Sequence, residues 1–378
     1  MKFFHLSDLH LGMRLKNFSL LEDQKHILDE ILSLAESEHP DAVVIAGDVY
    51  DRAVPSAEAV ELFDDFLSAL SEKGFPTLII FGNHDSPERV AFGSRLMKTS
   101  GIYLSPVYEG QAESVSFSDG FGTVRFHLLP FLKPSGVRRF YPDEEINSYT
   151  DAIRCAVSHM DIDAAERNVI VTHQFVTGAS QSGSEEINVG GTDNVDASVF
   201  DAFDYVALGH IHGAQSVGRE TIRYCGTPLK YSFSEKDQEK SVTVVEMREK
   251  GNIAISVLPL HPLHDMREIR GTYNDLVLYK NYAGTDTADY IRAILTDEDE
   301  VPNAMARLRE VYPNIMNLDY DNTRTRTSTV VQADERRLKM TDMELLAEFY
   351  KDRTGCELSE EQTRYAKELF EKLREELK

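Results

Sequence analysis

Apolar and polar positions alternate between strand-like and helical spacings along the first half of the chain. Short apolar runs bounded by turn residues predict strands, and apolar residues that recur with helical spacing predict amphipathic helices. The first elements predicted in this way are strands over residues 2–6, 42–46 and 76–81 and helices over residues 23–36 and 56–71. Strands and helices in alternation are typical of an α/β body.

Short strand patterns continue through the next part of the chain. They cover residues 124–129, 169–172, 205–208, 222–224, 242–246 and 253–258. So many strands indicate an α/β body about two sheets thick. Residues 174–196 are rich in Ser, Gly, Glu and Asn and are too long for an ordinary connection, which predicts a functional or mobile surface loop.

The pattern changes near Met266. A strand over 290–295, a helix opened by Pro302 and a strand over 315–320 predict a small separate α/β unit, followed by a polar linker and two helices. Both helices begin with capping-box spacing, and Gly355 fits the break between them. The capping-box pairs are Thr341 with Glu344 and Ser359 with Gln362. The predicted division is an α/β body over 1–265, the small unit over 266–333 and C-terminal helices over 334–378.

Polar side chains suited to metal binding follow the predicted strands. A rigid sheet can aim such strand-end residues into one crevice. In extended backbone, residues two apart point the same way, so Asp8 and His10 can face that crevice together, as can His210 and His212. The segments are Asp8-Leu-His10, Gly47-Asp48-Val-Tyr-Asp51, Gly82-Asn83-His84-Asp85, His173 and Gly209-His210-Ile-His212.

The donor types in these segments predict a pair of metal ions. Carboxylate, imidazole and amide oxygen together suit Mn²⁺, Fe²⁺ or Zn²⁺ better than a thiolate site or an all-oxygen calcium site does. One ion cannot use all the donors at once, whereas two ions about 3.5 to 4 Å apart can share a carboxylate, and Asp48 is the predicted bridge. The candidate ligands are Asp8, His10, Asp48, Asn83, His173, His210 and His212.

A two-metal site supplies what phosphodiester hydrolysis needs, namely a nucleophile at neutral pH and a positive clamp on the phosphoryl oxygens. His84 is not needed as a ligand, so we expect it to meet the developing charge or to protonate the leaving oxygen. Asp85 or a backbone acceptor would hold its ring. Asp51 fits either a turn or a supporting role. Each segment taken singly could have a purely structural role, such as a turn or a buried histidine. The whole set in this order indicates a functional site. The other histidines are predicted to be ordinary: His5, His26, His39, His127, His159, His261 and His264.

Composition sets further limits on function. The formal charge of −24 opposes simple nonspecific adhesion to nucleic acid, although bound cations or a basic partner would reverse the local field. Cys155, Cys225 and Cys356 are scattered and are predicted to be reduced structural thiols. Polar residues come too early for a signal peptide and no long apolar run follows, so we expect a cytoplasmic protein.

These segments resemble those of the calcineurin-like metallophosphoesterase superfamily. The chain is similar over nearly its whole length to the SbcD family, the nuclease subunits of bacterial SbcCD complexes. The matching segments are Phe4-His5-Leu6-Ser7-Asp8-Leu9-His10-Leu11-Gly12, Gly47-Asp48-Val49-Tyr50-Asp51-Arg52, Gly82-Asn83-His84-Asp85-Ser86 and Gly226-Thr227-Pro228-Leu229-Lys230-Tyr231-Ser232-Phe233. The implied fold is a two-sheet metallophosphoesterase sandwich flanked by helices, with a small α/β capping domain and C-terminal helices.

The resemblance also implies roles for individual residues. The first metal would be held by positions matching Asp8, His10, Asp48 and His212, and the second by those matching Asp48, Asn83, His173 and His210. His84 matches the catalytic histidine. The implied activity is Mn²⁺-dependent exonuclease action on double-stranded DNA ends and endonuclease action on single strands and hairpins, in repair and recombination. The implied partners are DNA, a second copy bound through the nuclease domain, and an SbcC-type ATPase bound through the C-terminal helices.

Two other functions are compatible with the same residues. A small-molecule phosphodiesterase or phosphoprotein phosphatase could use the same metals, because fold and metals do not fix the substrate. The chain could also be chiefly a scaffold for a partner ATPase. The capping unit and the terminal helices weigh against the first alternative, and the intact ligand set weighs against the second.

Overall fold

The computed structural model describes residues 1–183 and 193–323, together with single positions from residue 325 onward. The centre of the predicted 174–196 loop lies outside the described residues. The predicted C-terminal helices over 334–378 also lie outside them, apart from those single positions. At two of these positions, Ser359 and Gln362 exchange both hydrogen bonds of the predicted capping box.

Short strands dominate the described part of the chain. In chain order they are β1 (Lys2–Leu6), β2 (Arg14–Leu15), β3 (Phe18–Ser19), β4 (Ala42–Ala46), β5 (Thr77–Ile80), β6 (Ile102–Leu104), β7 (Glu113–Asp119), β8 (Gly122–Leu129), β9 (Arg167–His173), β10 (Tyr205–Gly209), β11 (Gln215–Val217), β12 (Arg219–Tyr224), β13 (Ser241–Met247), β14 (Ile253–Pro259), β15 (Met266–Gly271), β16 (Tyr290–Leu295) and β17 (Ile315–Tyr320).

The helices are fewer, and only some are longer than one turn. They are α1 (Leu21–Glu38), α2 (Ala57–Glu72), α3 (Pro87–Val90), α4 (Ser94–Met97), α5 (Pro134–Arg138), α6 (Tyr149–Ser158), α7 (Tyr273–Leu276), α8 (Tyr279–Tyr282) and α9 (Ala304–Leu308). Short 3-10 turns cover Lys98–Ser100, Ala197–Phe200 and Phe233–Glu235.

Two six-stranded sheets form the α/β body. The first has the order β14-β13-β1-β4-β5-β6 and the second the order β11-β12-β10-β9-β8-β7. Within the first sheet β1, β4, β5 and β6 run parallel, and within the second β8, β9, β10 and β12 do. Parallel strands end at a common edge, so each sheet gathers the residues that follow its strands.

The two sheets bury a shared apolar layer between them. Phe3 of β1 packs edge-on against Phe126 of β8 and Tyr205 of β10, with ring centroids 5.2 and 5.7 Å away. Neighbouring residues alternate between faces, so Val44 joins this inner layer while Val43 joins the cluster under the helices. Burial on both faces explains why these strands are continuously apolar in sequence.

Helices cover the outer faces of the sandwich. Ile27 and Ile31 of α1 and Phe63 of α2 pack on the first sheet, and Ile153 of α6 packs on the second. Ser56 caps α2 by accepting a hydrogen bond from the Ala59 N–H. This two-sheet α/β architecture confirms the predicted fold class.

The chain divides into two compact units. The larger comprises residues 1–268, 285–292 and 309–317, and the smaller comprises 269–284, 293–308 and 318–378. Residues 266–320 contain a three-stranded sheet in the order β15-β16-β17. The division at 265/266 and 333/334 stays a prediction. Among the described residues no helix is long and apolar enough to cross a bilayer.

Candidate metal centre

The candidate ligands lie at the carboxyl ends of five parallel strands. Asp8 and His10 follow β1, Asp48 follows β4, and Asn83 with His84 follows β5 in the first sheet. In the second sheet His173 ends β9, and His210 and His212 follow β10. The described structure thus brings together all seven residues predicted as ligands.

Several of these residues adopt a left-handed backbone that is uncommon outside glycine. The φ angles are 53° at Asp8, 43° at His10, 48° at Asp48 and 100° at His210. The loops that carry them are held to one another, because the Asp8 N–H donates to Gly47 O at 3.0 Å and the His10 N–H to Asp48 O at 3.0 Å. Such strain persists only where the surroundings over-determine it, as they do at functional sites.

Glycines allow the loops to approach this closely. A Cβ at Gly82 would lie 2.1 Å from Asp48 Oδ1, and one at Gly209 would lie 2.0 Å from Ala46 O. Gly47 is similarly crowded by the His173 ring, 2.5 Å from the Cβ position. Close approach of the ligand loops therefore needs glycine at these turns.

Donor atoms converge in overlapping groups. One ligand atom from each of Asp8, His10 and His212 lies within 4.8 Å of the others, and the same holds for Asp8, Asp48 and His173. A further group joins Asp48 to His10 and His84. Asp48 therefore borders both sides of the site, as a bridging carboxylate must.

Asn83 extends the cluster toward His210. Its Oδ1 lies 3.1 Å from His173 Nε2 and 2.9 Å from His210 Nδ1. The His210 N–H in turn donates to both carboxylate oxygens of Asp8, at 3.1 and 3.0 Å. An amide oxygen among imidazoles and carboxylates is a donor set suited to first-row divalent metals.

His10 provides the observation that tests the fit of a metal. Both of its ring nitrogens are buried and have no hydrogen-bond partner among the described residues. A buried polar atom without a partner is costly, and a metal ion would satisfy one of these two. Burial holds the pKa of His10 well below its ordinary value, so the ring is neutral and keeps a lone pair for an ion. The residues present fit a divalent metal.

The pKa values of the two carboxyl groups at the site shift in opposite directions. Burial raises the pKa of Asp8. Burial would also raise the pKa of Asp48. The charge of His173 and its hydrogen bond outweigh burial, so the pKa of Asp48 is lowered. His173 shows the reverse balance, because Asp48 overcomes burial and raises the pKa of the imidazole to about 9. The site therefore contains an ionised carboxylate at its centre.

His84 and Asp85 have distinct surroundings. The His84 Nδ1 lies 2.9 Å from Asp51 O, so a backbone acceptor holds the ring. The Asp85 carboxylate accepts hydrogen bonds from the N–H groups of Gly82, Val49 and Tyr50, at 2.9 to 3.1 Å. Burial and the Asp48 charge raise the pKa of Asp85 to about 6. Asp85 thus ties two ligand loops together.

Sequence reasoning missed the groups that support the ligands from behind. Gln24 of α1 donates to His10 O at 2.7 Å and accepts from the Gly12 N–H at 2.9 Å. Glu235 lies 3.2 Å from His212 Nδ1 and is paired with Lys240. Neither belongs to a strand-end segment, and nothing in their local sequence marks them.

Comparison with known families defines the class. A family model described as calcineurin-like phosphoesterase matches residues 1–214, more than half of the chain. A second model, described as the type 5 capsule protein repressor C-terminal domain, matches residues 262–354. The sandwich and its clustered Asp and His residues define a calcineurin-like phosphoesterase with a site suited to two divalent metals.

Relatives narrow the assignment. The chain is 32% identical over 377 residues to the SbcD component of the SbcCD nuclease of Staphylococcus epidermidis, covering 98% of each protein. It is 33% identical over 380 residues to the SbcD component of Staphylococcus saprophyticus subsp. saprophyticus, covering 100% of this chain and 99% of that protein. The chain belongs to the SbcD family of SbcCD nuclease components.

Solved structures are more distant. A dimetal phosphatase from Danio rerio is 12% identical with a TM-score of 0.40, covering 69% of this chain and 98% of that one. An archaeal phosphodiesterase is 13% identical with a TM-score of 0.30, covering 68% and 100%. Scores this low carry no argument about function.

Proposed function

We propose that the chain is a dinuclear-metal DNA nuclease that cuts double-stranded ends as an exonuclease and single strands or hairpins as an endonuclease. The observation that carries this proposal is a pair of donor groups that share Asp8, namely Asp8 with His10 and His212 and Asp8 with Asp48 and His173. Both His10 ring nitrogens are also buried without a partner among the described residues. Membership in the SbcD family supports the DNA substrate. Repair and recombination of DNA is the corresponding cellular role.

The metals are assigned by the donors that cluster. Asp8, His10 and His212 would hold one ion, and His173, Asn83 and His210 the other, with Asp48 between them. Mn²⁺ is the proposed metal because it accepts mixed oxygen and imidazole donors. When bound, two such ions would supply the nucleophile at neutral pH and stabilise charge on the phosphoryl oxygens.

The chain's own residues position the substrate and move the proton. His84 is fixed through Nδ1 on Asp51 O, which leaves the other ring nitrogen for the leaving oxygen. The Asp48 carboxylate accepts the His84 N–H at 2.9 Å, so the His84 backbone is locked to the central ligand. His84 is proposed as the catalytic residue. Asp85, which accepts hydrogen bonds from three backbone N–H groups, is proposed as a positioning residue.

A small cavity beside Asn83 and His210 favours a nucleic-acid substrate. It has a volume of about 130 Å³, and Phe131, Tyr149 and Phe175 contribute aromatic side chains to its lining. Lys133 and Asp193 line the same cavity, so it carries one charged side chain of each sign. Aromatic rings stack on bases, so this cavity suits a single base next to the scissile bond.

Partner binding is the further part of this proposal. The two relatives are named as components of an SbcCD nuclease, which supports an SbcC-type ATPase as the partner. The predicted terminal helices carry apolar residues at helical spacing, which favours helix-in-groove binding of that partner. These residues are Leu345, Leu346, Phe349 and Tyr350 in the first helix and Tyr365, Leu369, Phe370, Leu373 and Leu377 in the second. Truncation after Asp334 should leave a folded, metal-binding nuclease that no longer co-purifies with the ATPase. An unchanged complex, or an unfolded chain, would disprove the assignment to these helices.

The activity is tested with a panel of substrates. The purified chain is incubated with Mn²⁺ and blunt duplex DNA, a DNA hairpin and a chromogenic phosphodiester, with and without the ATPase. We expect cleavage of both DNA substrates and a rate on duplex ends that depends on the partner. Hydrolysis of the chromogenic ester with no cleavage of DNA would favour a small-molecule phosphodiesterase. No hydrolysis in any condition would favour a scaffold.

A further inference from the structure

A buried ion pair lies directly behind one of the candidate metal ligands. Glu235 is fully buried and Lys240 is 8% exposed, and their charged atoms are 2.6 Å apart. Removing two charges from water is costly, so a pair of this kind is weak evidence for stability. Its position next to His212 needs another explanation.

Glu235 fixes the ring of His212. Its Oε1 lies 3.2 Å from His212 Nδ1. An ionised carboxylate can only accept a hydrogen bond, so Nδ1 carries the proton and Nε2 keeps the lone pair. Glu235 therefore determines which ring nitrogen of His212 is left for a metal. Carboxylates behind metal-bound histidines commonly have this effect.

Lys240 holds the main chain of the same residue. Its Nζ donates to His212 O at 3.0 Å, to Thr227 Oγ1 at 2.6 Å and to Glu235 Oε2 at 2.6 Å. The Thr227 N–H also donates to His212 O, at 3.1 Å. One lysine thus connects the backbone of His212 to the carboxylate that orients its ring.

The segment that carries Thr227 must lie close to the His212 loop. Gly226 has φ +79°, and a Cβ there would meet His212 O at 2.8 Å. Residues 226–233 form one of the segments that resemble the family, yet none of them is a candidate ligand. Support of His212 gives this segment a role in the site.

We propose that Glu235 is a positioning residue for His212, and that the Glu235–Lys240 pair sets the affinity of the metal held by Asp8, His10, Asp48 and His212. The inference rests on the proposed metal assignment. It predicts an effect on one metal of the two, since the other ion's ligands have different supports. His173 Nδ1, for example, lies 2.8 Å from Ala46 O.

The test measures Mn²⁺ binding to the metal-free full chain by isothermal titration calorimetry. In Glu235→Gln/Lys240→Met the charges are removed together, so no buried charge is left unpaired. We expect one of the two Mn²⁺ equivalents to bind about 10- to 100-fold more weakly and the other to bind as in the parent. Nuclease activity should recover when Mn²⁺ is raised, so that the Mn²⁺ concentration for half-maximal rate shifts and kcat does not.

Arg167→Met supplies the matched control. Arg167 is 2% exposed and pairs with Asp119, and it also donates to Met247 O and Gly122 O. Its loss should lower the melting temperature of the metal-free chain without changing Mn²⁺ affinity. Glu235→Asp keeps a carboxylate but places it one methylene further from His212. This variant should weaken binding of the same Mn²⁺ equivalent by less than the double variant does. It also provides the test if the double variant fails to fold.

The outcomes separate the two proposals. If both equivalents bind to the folded Glu235 variants with parental affinity, or if both weaken by the same factor, the positioning role is wrong. If the parent chain itself binds fewer than two Mn²⁺ ions, the proposed function fails, and this inference fails with it.

Discussion

At the scale of single residues, the sequence identifies the side chains of the site but not the backbone conformation that carries them. Asp8, His10, Asp48 and His210 have positive φ, at a cost of about 1 to 3 kcal/mol each. Aspartate and histidine adopt positive φ more often than most other residues, but nothing in the sequence shows that these four do so. The strain is offset by hydrogen bonds between ligand loops, such as His10 N–H to Asp48 O.

His84→Gln separates chemistry from metal binding. If His84 acts on the leaving oxygen, the variant should keep two Mn²⁺ equivalents and its DNA affinity while kcat falls about 10²- to 10⁴-fold. Metal analysis and single-turnover cleavage measure the two effects. The exposed His26, changed to Gln, should alter neither. Loss of one Mn²⁺ equivalent would instead place His84 among the ligands, where it clusters with His10 and Asp48.

His5 gives a pH dependence that does not involve the metals. It is fully buried with Nδ1 3.0 Å from the Tyr205 hydroxyl, and burial, with a smaller effect of Arg223, lowers its pKa to about 3. The unfolded chain takes up this proton near its ordinary pKa of about 6.5, and the folded chain does not. The contribution of His5 to the free energy of unfolding is therefore fully present above about pH 6.5. It falls by up to about 1.4 kcal/mol per pH unit as the pH decreases toward about 3.

The check is urea unfolding of the parent and His5→Asn between pH 7 and pH 4, with a chelator in every sample. The free energy of unfolding should fall less steeply in the variant, because groups common to both proteins cancel. His39→Asn, at an exposed histidine, should retain the parental slope. Parallel curves for His5→Asn and the parent would contradict the account.

At the scale of elements, sequence predicted best what is buried on both faces. The apolar runs of β1, β4 and β5 were predicted within one residue at each end, and the site followed because ligands come directly after such strands. The elements β7 and α6 were not predicted, because their sequence patterns are weaker. β7 mixes Ser, Glu and Asp into its alternation, and α6 begins with a capping box that uses Asp151 in place of Glu or Gln.

Gly82→Ala tests whether loop approach, and not only donor identity, builds the site. The added Cβ would lie 2.1 Å from Asp48 Oδ1, so the carboxylate must move. We expect fewer than two Mn²⁺ equivalents, and a metal-free chain destabilised by about 1 to 3 kcal/mol, as overpacking usually does. Gly120→Ala is the control, since no atom of the described part of the chain lies within 4 Å of its Cβ position. A Gly82→Ala chain with two tightly bound ions would contradict this geometry.

At the scale of the whole molecule, the net charge of −24 does not suit autonomous binding to DNA. The central carboxylates account for part of that charge, and bound cations would reverse the field locally. A partner ATPase with a basic surface would supply positive charge, whereas a second copy of this chain would not. Neither the dimer nor the partner follows from composition, because composition reports total charge and not its placement.

The homodimer that the family resemblance implies has a candidate surface beyond the β5 ligands. Phe92, in the turn between α3 and α4, is 82% exposed, and Leu96 of α4 is 79% exposed. Exposed apolar residues this close together favour a protein contact. Phe92→Ser/Leu96→Ser should shift the chain from dimer to monomer in analytical ultracentrifugation and leave Mn²⁺ binding intact. Phe121→Ser, at another exposed aromatic residue, should remain dimeric. Dimers of the double variant would exclude this surface.

The central claim is that two metals share Asp48 and that DNA cleavage depends on both. The direct measurement is metal content and cleavage of blunt duplex DNA for the parent, Asp48→Ala and the exposed-site control Asp65→Ala. The account predicts two Mn²⁺ equivalents and cleavage for the parent and the control. It predicts fewer than two equivalents and no cleavage for Asp48→Ala, because a bridging carboxylate has no substitute. An Asp48→Ala chain that binds two equivalents and still cleaves DNA would contradict it.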